Sequence, residues 1–351
     1  MTHATDSATV LGPLRQALER LDPAFAPAAW LDHLIAAKLD LLPRPAQGRT
    51  LVRWQALAAV AAHDLSLAKL YEGHTDALAI LGELGHTALA VEGASWGVWA
   101  AEAPQGRMRI VGGSGGRVTL SGDKCWCSGA ASATHALLTA WHDADAALPQ
   151  LVAVDLRQPG IRVSASAWHA LGMAGSASLD VNFSQVEGHC VGRAGDYLVR
   201  PGFWHGGAGI AACWYGGALA LAGALRRQTQ RDAAGATHPS ASFRQAALGR
   251  VDLAMTTTAA LLRECADWID ANPHADAALV AGRARLAAEA GAATVLDTVG
   301  RALGAAPFCR DAAFARAATD LPVFIRQSHA ERDLAALGER VAKQESSAWL
   351  L

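Results

Sequence analysis

The sequence lacks any marked excess of charge. Its 351 residues carry a formal net charge of −2, with no basic stripe of the kind that electrostatic nucleic-acid binding needs. No nucleic-acid partner is expected. Cysteine is sparse. The six cysteines are scattered without a C-x-x-C pair or a Cys/His cluster at metal spacing, so no metal site is predicted. Cys125 and Cys127 fall on one face of one predicted strand, which suits packing better than a disulfide, and a reducing cytoplasm is the expected compartment. Met1 to Thr9 is polar and holds no apolar signal region. Long hydrophobic runs are nearly absent too. The exception, Gly206 to Leu225, has no charged residue over twenty positions, yet thirteen of the twenty are Gly or Ala and three are Leu. Such a helix suits close backbone packing in a bundle better than contact with lipid, so buried core is expected and no membrane partner. A phosphate-binding loop is excluded as well. Ile110-Val-Gly-Gly-Ser-Gly-Gly116 is rich in glycine but lies between two strand-like runs, whereas a phosphate loop opens a helix. It reads as a hairpin loop.

What is present is globular: 52% of residues are hydrophobic and 18% charged, over a length that gives two or three units. Apolar residues recur at helical spacing from Val10 to Leu21, along Trp30, Leu31, Leu34 and Ile35, and from Leu51 to Leu84 with interruptions near His63-Asp64 and Gly73-His74. Both histidines read as ordinary buried or capping residues. The pattern changes between His86 and Ala101. Trp96 to Trp99, Arg117 to Gly129 (a strand, a tight Ser-Gly-Asp turn and a second strand), Leu137 to Ala140 and Leu151 to Leu156 read as strands. Val181 and Phe183 then alternate with Asp180 and Asn182. After Arg200-Pro201-Gly202 the chain is helical again: Gly206–Leu225, Phe243–Asp270, Ala281–Leu303 and Leu321–Ala342 make a predicted four-helix bundle. The expected domains are an all-helical 1–88, a β domain 89–200 and a helical bundle 201–351.

The β segment carries two residue patterns. Gly122, Lys124, Trp126 and Ser128, with Cys127 between, match G-x-K-x-W-[IV]-[ST]. About forty residues on, Trp168, Leu171-Gly172-Met173, Ser176, Ser178, Val181, Phe183 and Val186 match W-x-x-L-G-M-R-x-S-x-S-x-x-V-x-F-x-x-V. On these motifs the chain resembles the acyl-CoA dehydrogenase flavoproteins. Gly304, Pro307 and Arg316 with Asp320 echo the family's Gly-Gly loop and R-x-x-R-D segment. The resemblance implies an α+β fold of acyl-CoA dehydrogenase type: an N-terminal helical domain, a middle β-barrel or sandwich and a C-terminal four-helix bundle.

It also implies FAD as cofactor. Trp126 would give a flat wall to the ring and Ser128 a hydroxyl toward N5, with Cys127 between them. The backbone at Ala100, Ala101 and Glu102 would meet the pyrimidine edge. The alternative for Trp126 is a core tryptophan. At the adenine end, the R-x-x-F-G arginine should fall near Ala233 to His238, where there is none, and Arg231 is out of register. Arg301 stands where the family has a Gln before its Gly-Gly loop, near Gly304, and could pair with a phosphate.

The family removes an α-proton with a glutamate. Counting from Asp320, Ser328 occupies that place in Gln327-Ser328-His329-Ala330, and no Asp or Glu lies between Pro201 and Leu225 to serve instead. The T-E-P-x-x-G-S-D loop has become Ala101 to Met108. The candidate catalytic residues are therefore His329, Ser328 and His205, histidine being suited to proton transfer at neutral pH. Arg326, Glu331, Arg332 and Asp333 could equally form surface or interface pairs. The leading expectation is an FAD-dependent oxidoreductase acting on a CH–CH or related C–H bond of an acyl-type small molecule. A flavin monooxygenase or oxidase of the same fold is the second, and a non-catalytic scaffold the third. The Gly/Ala-faced helix and the family's shared flavin site suggest a homodimer or homotetramer.

Overall fold

The computed structural model describes residues 3–102, 107–142, 147–166, 168–235, 240–344 and 349. The chain forms two compact units, Met1–Arg44 with Ser66–Phe203, and Pro45–Leu65 with Trp204–Leu351. Four helices open the chain: α1 (His3–Glu19), α2 (Pro27–Ala36), α3 (Thr50–His63) and α4 (Leu65–Glu83). Pro27 starts α2 in the first turn, where its missing N–H costs nothing. Asp64, extended at φ −157°, separates α3 from α4 as expected. The interruption expected at Gly73-His74 is absent, and α4 runs straight through it. One helical glycine costs about 1 kcal/mol, and burial of Tyr71, Ala77, Ile80 and Leu81 on the same helix outweighs that.

The first unit holds the sheet: β1 (Trp96–Trp99), β2 (Arg109–Ser114), β3 (Arg117–Cys127), β4 (His135–Ala140), β5 (Gln150–Asp155), β6 (Ile161–Ser164) and β7 (Leu179–Val191), followed by the short α5 (Asp196–Val199). The order is β1-β4-β5-β7-β3-β2, with β1 and β4 parallel and the other pairs antiparallel. The long β7 pairs along one edge with β6 near its start and β5 near its end, and along the other with β3. At β4 both faces of the sheet are covered, and that strand is buried at every position. Trp99, Leu120, Leu138, Val152 and Phe183 pack on one face. Trp96, Leu137, Leu151 and Ala153 pack on the other with Ile80 and Leu81 of α4.

Gly115 and Gly116, at φ +61° and +83°, make the two-residue β2–β3 turn, so the glycine-rich segment is the expected hairpin. The Ser-Gly-Asp turn expected near Gly122 does not form. Gly122, at φ +135°, sits at a β-bulge inside one continuous β3, because a bulge demands the same left-handed freedom as a turn.

The second unit joins α3 to α6 (Gly202–Ala234), α7 (Ala241–Ala271), α8 (Ala278–Leu303), α9 (Ala306–Arg310), α10 (Ala312–Phe324) and α11 (Glu331–Ala342). Helix α6 is long and apolar enough to cross a membrane by length and composition, and 61% of its most apolar window is buried. Its small residues permit close contact: a Cβ on Gly216 would lie 2.3 Å from the Ala58 carbonyl of α3. Asp270 of α7 accepts from the Gly48 and Thr50 amides (3.0 and 2.9 Å) and the Thr50 hydroxyl (2.6 Å), capping the start of α3 from another helix. The expected fourth bundle helix, Leu321–Ala342, is corrected to two. A 3-10 turn at Ile325–Gln327 and Ala330 at φ +46° separate α10 from α11.

Candidate functional site

In the first unit the candidates converge on the end of β3. Pairing with β7 slips between Lys124 and Cys127, and Trp126 takes a left-handed φ of +56°. For a tryptophan this is an outlier, of the kind that packing or function must hold in place. The slip breaks strand alternation. Lys124 and Cys127 point inward at 2% and 0% exposure, whereas the Trp126 indole stands out at 55%. Trp126 is therefore not a core residue. The expectation that Cys125 and Cys127 share one face is corrected by the same bulge: Cys127 is buried and Cys125 half-buried. Burial pushes the Cys127 thiol far above its ordinary value, which makes it a packing group.

Lys124 ties this strand end to the chain leaving β1. Its ammonium donates to the Ala101 carbonyl (3.2 Å), Glu102 Oε1 (3.0 Å) and Thr139 Oγ1 (2.7 Å), and Thr139 also donates to Glu102 (2.6 Å). Burial holds the lysine below its ordinary pKa and Glu102 opposes that shift. The half-buried Ala100 and exposed Ala101 are thereby anchored beside β3.

Ser128, half-buried just past the bulge, has its backbone fixed by Trp99 Nε1, which donates to the Ser128 carbonyl at 3.0 Å. Its hydroxyl meets Ser178 Oγ at 2.8 Å, Ser178 meets Ser176 Oγ at 2.9 Å, and Ser176 donates to the Met173 carbonyl at 2.7 Å. Met173 and Ala177, at φ +61° and +42°, fold the Ala174–Ser176 turn so that both serines face inward. Nearby, His74 accepts from the Trp96 amide through Nδ1 (3.2 Å), so its Nε2–H donates to Asp40 (3.0 Å). It is a satisfied structural histidine.

In the second unit, Ser328 and His329 lie in the turn before α11, and Asp333 reaches back over both. The carboxylate accepts from the His329 amide (3.1 Å) and the Ser328 hydroxyl (3.4 Å), and lies 3.6 Å from His329 Nδ1. Ser328 is buried and the His329 ring exposed. Asp333 is the carboxylate of this cluster, four residues beyond His329, and the sequence alone does not set it apart from Glu331. His205, near the start of α6, is 2% exposed. Arg301, on the last turn of α8, is exposed and paired with Asp297, and Gly304 ends that helix at φ +66°. Arg316 pairs with Asp64 at 3.2 Å. Arg326 pairs with Glu289 at 2.5 Å. A cavity of about 210 Å³ lies between α3, α6 and α10, lined by His63, Asp64, Arg227, Arg316 and Asp320 among others. Burial there pulls His63 below its ordinary pKa.

Residues 101–186 match the family model described as acyl-CoA dehydrogenase, middle domain. Among solved structures, butyryl-CoA dehydrogenase from Megasphaera elsdenii is similar with a TM-score of 0.79 at 15% identity, over 96% of this chain and 98% of that one. The chain has the acyl-CoA dehydrogenase fold. Two further structures of this fold hold FMN. TdsC from Paenibacillus sp. A11-2, with FMN and indole, gives a TM-score of 0.77 at 17% identity over 97% and 96% of the chains. KijD3, with FMN and a dTDP-linked amino sugar, gives 0.77 at 20% identity over 97% and 94%. No curated protein sequence matches.

Within this acyl-CoA dehydrogenase fold the middle-domain motifs stand out from the rest. Gly122 forms a bulge, Lys124 holds the chain at Ala101 and Glu102, and Trp126 presents its indole to solvent. Val181, Phe183 and Val186 fill the core beneath them. Ala101 to Met108, which replaces the T-E-P-x-x-G-S-D loop, and the place of the R-x-x-F-G arginine both run into residues outside those described, 103–106 and 236–239.

Proposed function

We propose that this chain is a flavin-dependent oxidoreductase acting on a small organic molecule, its middle β domain being the seat of the flavin ring. The observation that carries the reading is the end of β3. A tryptophan forced outward in a left-handed conformation beside a serine hydroxyl, with an anchored backbone segment at Ala100–Ala101, offers a flat apolar wall and hydrogen-bonding edges. A packing role for Trp126 explains neither the strain nor the exposure. Trp126 would stack on the ring, Ser128 would face N5, and Ala100 and Ala101 would meet the pyrimidine edge through their backbone. Bound there, a flavin supplies the electron transfer, and reaction with dioxygen when reduced.

FAD is the cofactor implied by the family motifs. FMN is the second reading, favoured by Arg301, which is engaged with Asp297 where a pyrophosphate partner would be wanted, and by the FMN in TdsC and KijD3. For the reaction, oxygen-using chemistry is favoured over dehydrogenation of an acyl-CoA. Buried Ser328 stands in the place of the glutamate, and a serine hydroxyl has no basicity for removing an α-proton. We assign proton transfer to His329, with Asp333 orienting it and Ser328 fixing the turn; His205 is a further candidate. The boundaries 1–88, 89–200 and 201–351, and a homodimer or homotetramer, are proposed with this reading.

The test is a visible spectrum of purified protein before and after adding FMN or FAD. Absorbance near ~450 nm retained through gel filtration supports the flavin reading. A colourless protein that retains neither would overturn it and leave the scaffold reading. With flavin bound, the rate at which the reduced form reacts with dioxygen separates oxidase or monooxygenase from dehydrogenase chemistry, and His329→Ala should slow turnover without loss of flavin.

A further inference from the structure

The three serines behind Trp126 form a hydrogen-bond chain whose direction can be deduced by counting hydrogens. Each hydroxyl has one hydrogen and two lone pairs. The chain ends on the Met173 carbonyl, which can only accept, so the Ser176 hydrogen is spent there (2.7 Å). In the Ser176–Ser178 contact at 2.9 Å, the hydrogen must therefore come from Ser178. The Ser128–Ser178 contact at 2.8 Å then takes its hydrogen from Ser128. Ser176 and Ser178 are 1% and 8% exposed, so water competes little for these bonds. Half-buried Ser128, at the outer end, is left with lone pairs and no free hydrogen: it faces a ligand as an acceptor.

Flavin chemistry makes that polarity consequential. N5 of the oxidised ring is an acceptor, and two acceptors facing each other repel. N5 of the reduced ring carries a hydrogen and donates. Resting on the flavin reading above, we infer that the Ser128–Ser178–Ser176 relay tunes this site to bind the flavin that carries hydrogen on N5. Ser178 and Ser176 are positioning residues that never touch the ring; they act by fixing where the Ser128 hydrogen points. A protein so tuned takes up reduced flavin in preference to oxidised, which suits an enzyme supplied with reduced flavin from elsewhere and reacting it with dioxygen.

The experiment is anaerobic titration of the full-length protein with oxidised and dithionite-reduced FMN, and likewise FAD, together with the midpoint potential of the bound flavin. The wild type should bind the reduced form at least about tenfold more tightly, which raises the bound two-electron potential by about 30 mV over free flavin. Ser176→Ala lets Ser178 donate to Ser128 and turns the Ser128 hydrogen outward, so the preference should fall to unity or reverse. Ser178→Ala frees the same hydrogen directly and should do likewise, while Ser178→Thr, which keeps the hydroxyl, should restore it. If Ser176→Ala fails to fold, the Ser178 pair carries the test. Equal binding of the two forms by the wild type, or a preference that survives both alanine variants, overturns the relay and leaves the flavin reading standing. Failure to bind either form overturns both.

Discussion

Replacing Lys124 separates the stability of the β domain from its capacity to hold a ring. Lys124→Ala and Lys124→Met both remove the ammonium that binds Ala101, Glu102 and Thr139. They differ in the space they leave. Alanine deletes a buried aliphatic stem at a 2% exposed position, and large-to-small changes of that kind cost about 2–5 kcal/mol. Methionine fills nearly the same volume. It forfeits three hydrogen bonds to a charged donor, but it also ends the desolvation cost of keeping an ammonium in the core, and the two are of similar size. The partners left behind are not stranded. The Glu102 side chain is 34% exposed and keeps the Thr139 hydroxyl, and Ala101 is exposed to water. The expected stability change for Lys124→Met is thus within about 1.5 kcal/mol, against roughly 3 kcal/mol for alanine, read from urea unfolding midpoints. Flavin retention should behave otherwise. Both variants cut the tether that holds Ala101 and Glu102 to β3, so both should weaken flavin binding by about tenfold or more. A methionine variant that holds flavin as tightly as the wild type would refute the tethering argument. One that loses more than about 3 kcal/mol would refute the compensation argument.

Three further outcomes follow from other parts of the structure. Trp126→Gly should change unfolding stability by less than about 1 kcal/mol, because relief of the left-handed backbone offsets the added chain entropy, yet it should abolish flavin retention; a large stability loss would mean the indole is structural. His135, buried beside Trp96 at 4.8 Å, has its pKa lowered first by burial, with Asp155 opposing. The unfolded state therefore takes up the proton first, so stability should be full above about pH 6.5 and fall as pH drops below it. His63, shifted the same way, adds to this, and His135→Phe should flatten the pH dependence of the unfolding midpoint. Gly216→Ala should cost about 1–3 kcal/mol or more, because its Cβ meets the Ala58 carbonyl at 2.3 Å, whereas Gly207→Ala, with nothing within 4 Å, should be neutral or slightly stabilising.

Much of the fold was legible because it rests on long periodic stretches. The helical patterns after Pro27 and Leu51, the alternation at Val181 and Phe183, and the apolar runs at Leu137 and Leu151 all became the elements they predict. Two of the misreadings share a cause. Gly122 and Gly73 are the same residue type as the glycines of the β2–β3 turn, yet one sits in a bulge and the other inside a helix, since a glycine reports only what it permits. The break at Ala330 carries no glycine signal at all. It is held by a contact, Asp333 reaching back to the His329 amide, and the linear sequence shows that carboxylate only as one of several nearby charges.

The candidate site was legible to a different depth. Trp126 and Ser128 could be named from their motif, but the property that makes them useful is three-dimensional. It takes the register slip against β7 to turn the indole outward while Lys124 and Cys127 stay in. Likewise Ser176 and Ser178 are visible as motif positions, and nothing in their spacing shows that they hydrogen-bond to each other or to Ser128. That needs the left-handed Met173 and Ala177 to fold the turn, and the Met173 carbonyl to end the chain. Three of the left-handed residues of this domain, Trp126, Met173 and Ala177, stand where function is proposed, while Gln185, at φ +55°, lies apart in β7. Trp126 is the proposed wall, and Met173 and Ala177 fold the turn whose Met173 carbonyl ends the proposed relay. Ser178→Ala leaves that backbone strain in place while removing the relay. If it changes the preference for reduced flavin without changing the unfolding free energy by more than about 1 kcal/mol, the strain serves the hydroxyl chain and not the stability of the sheet.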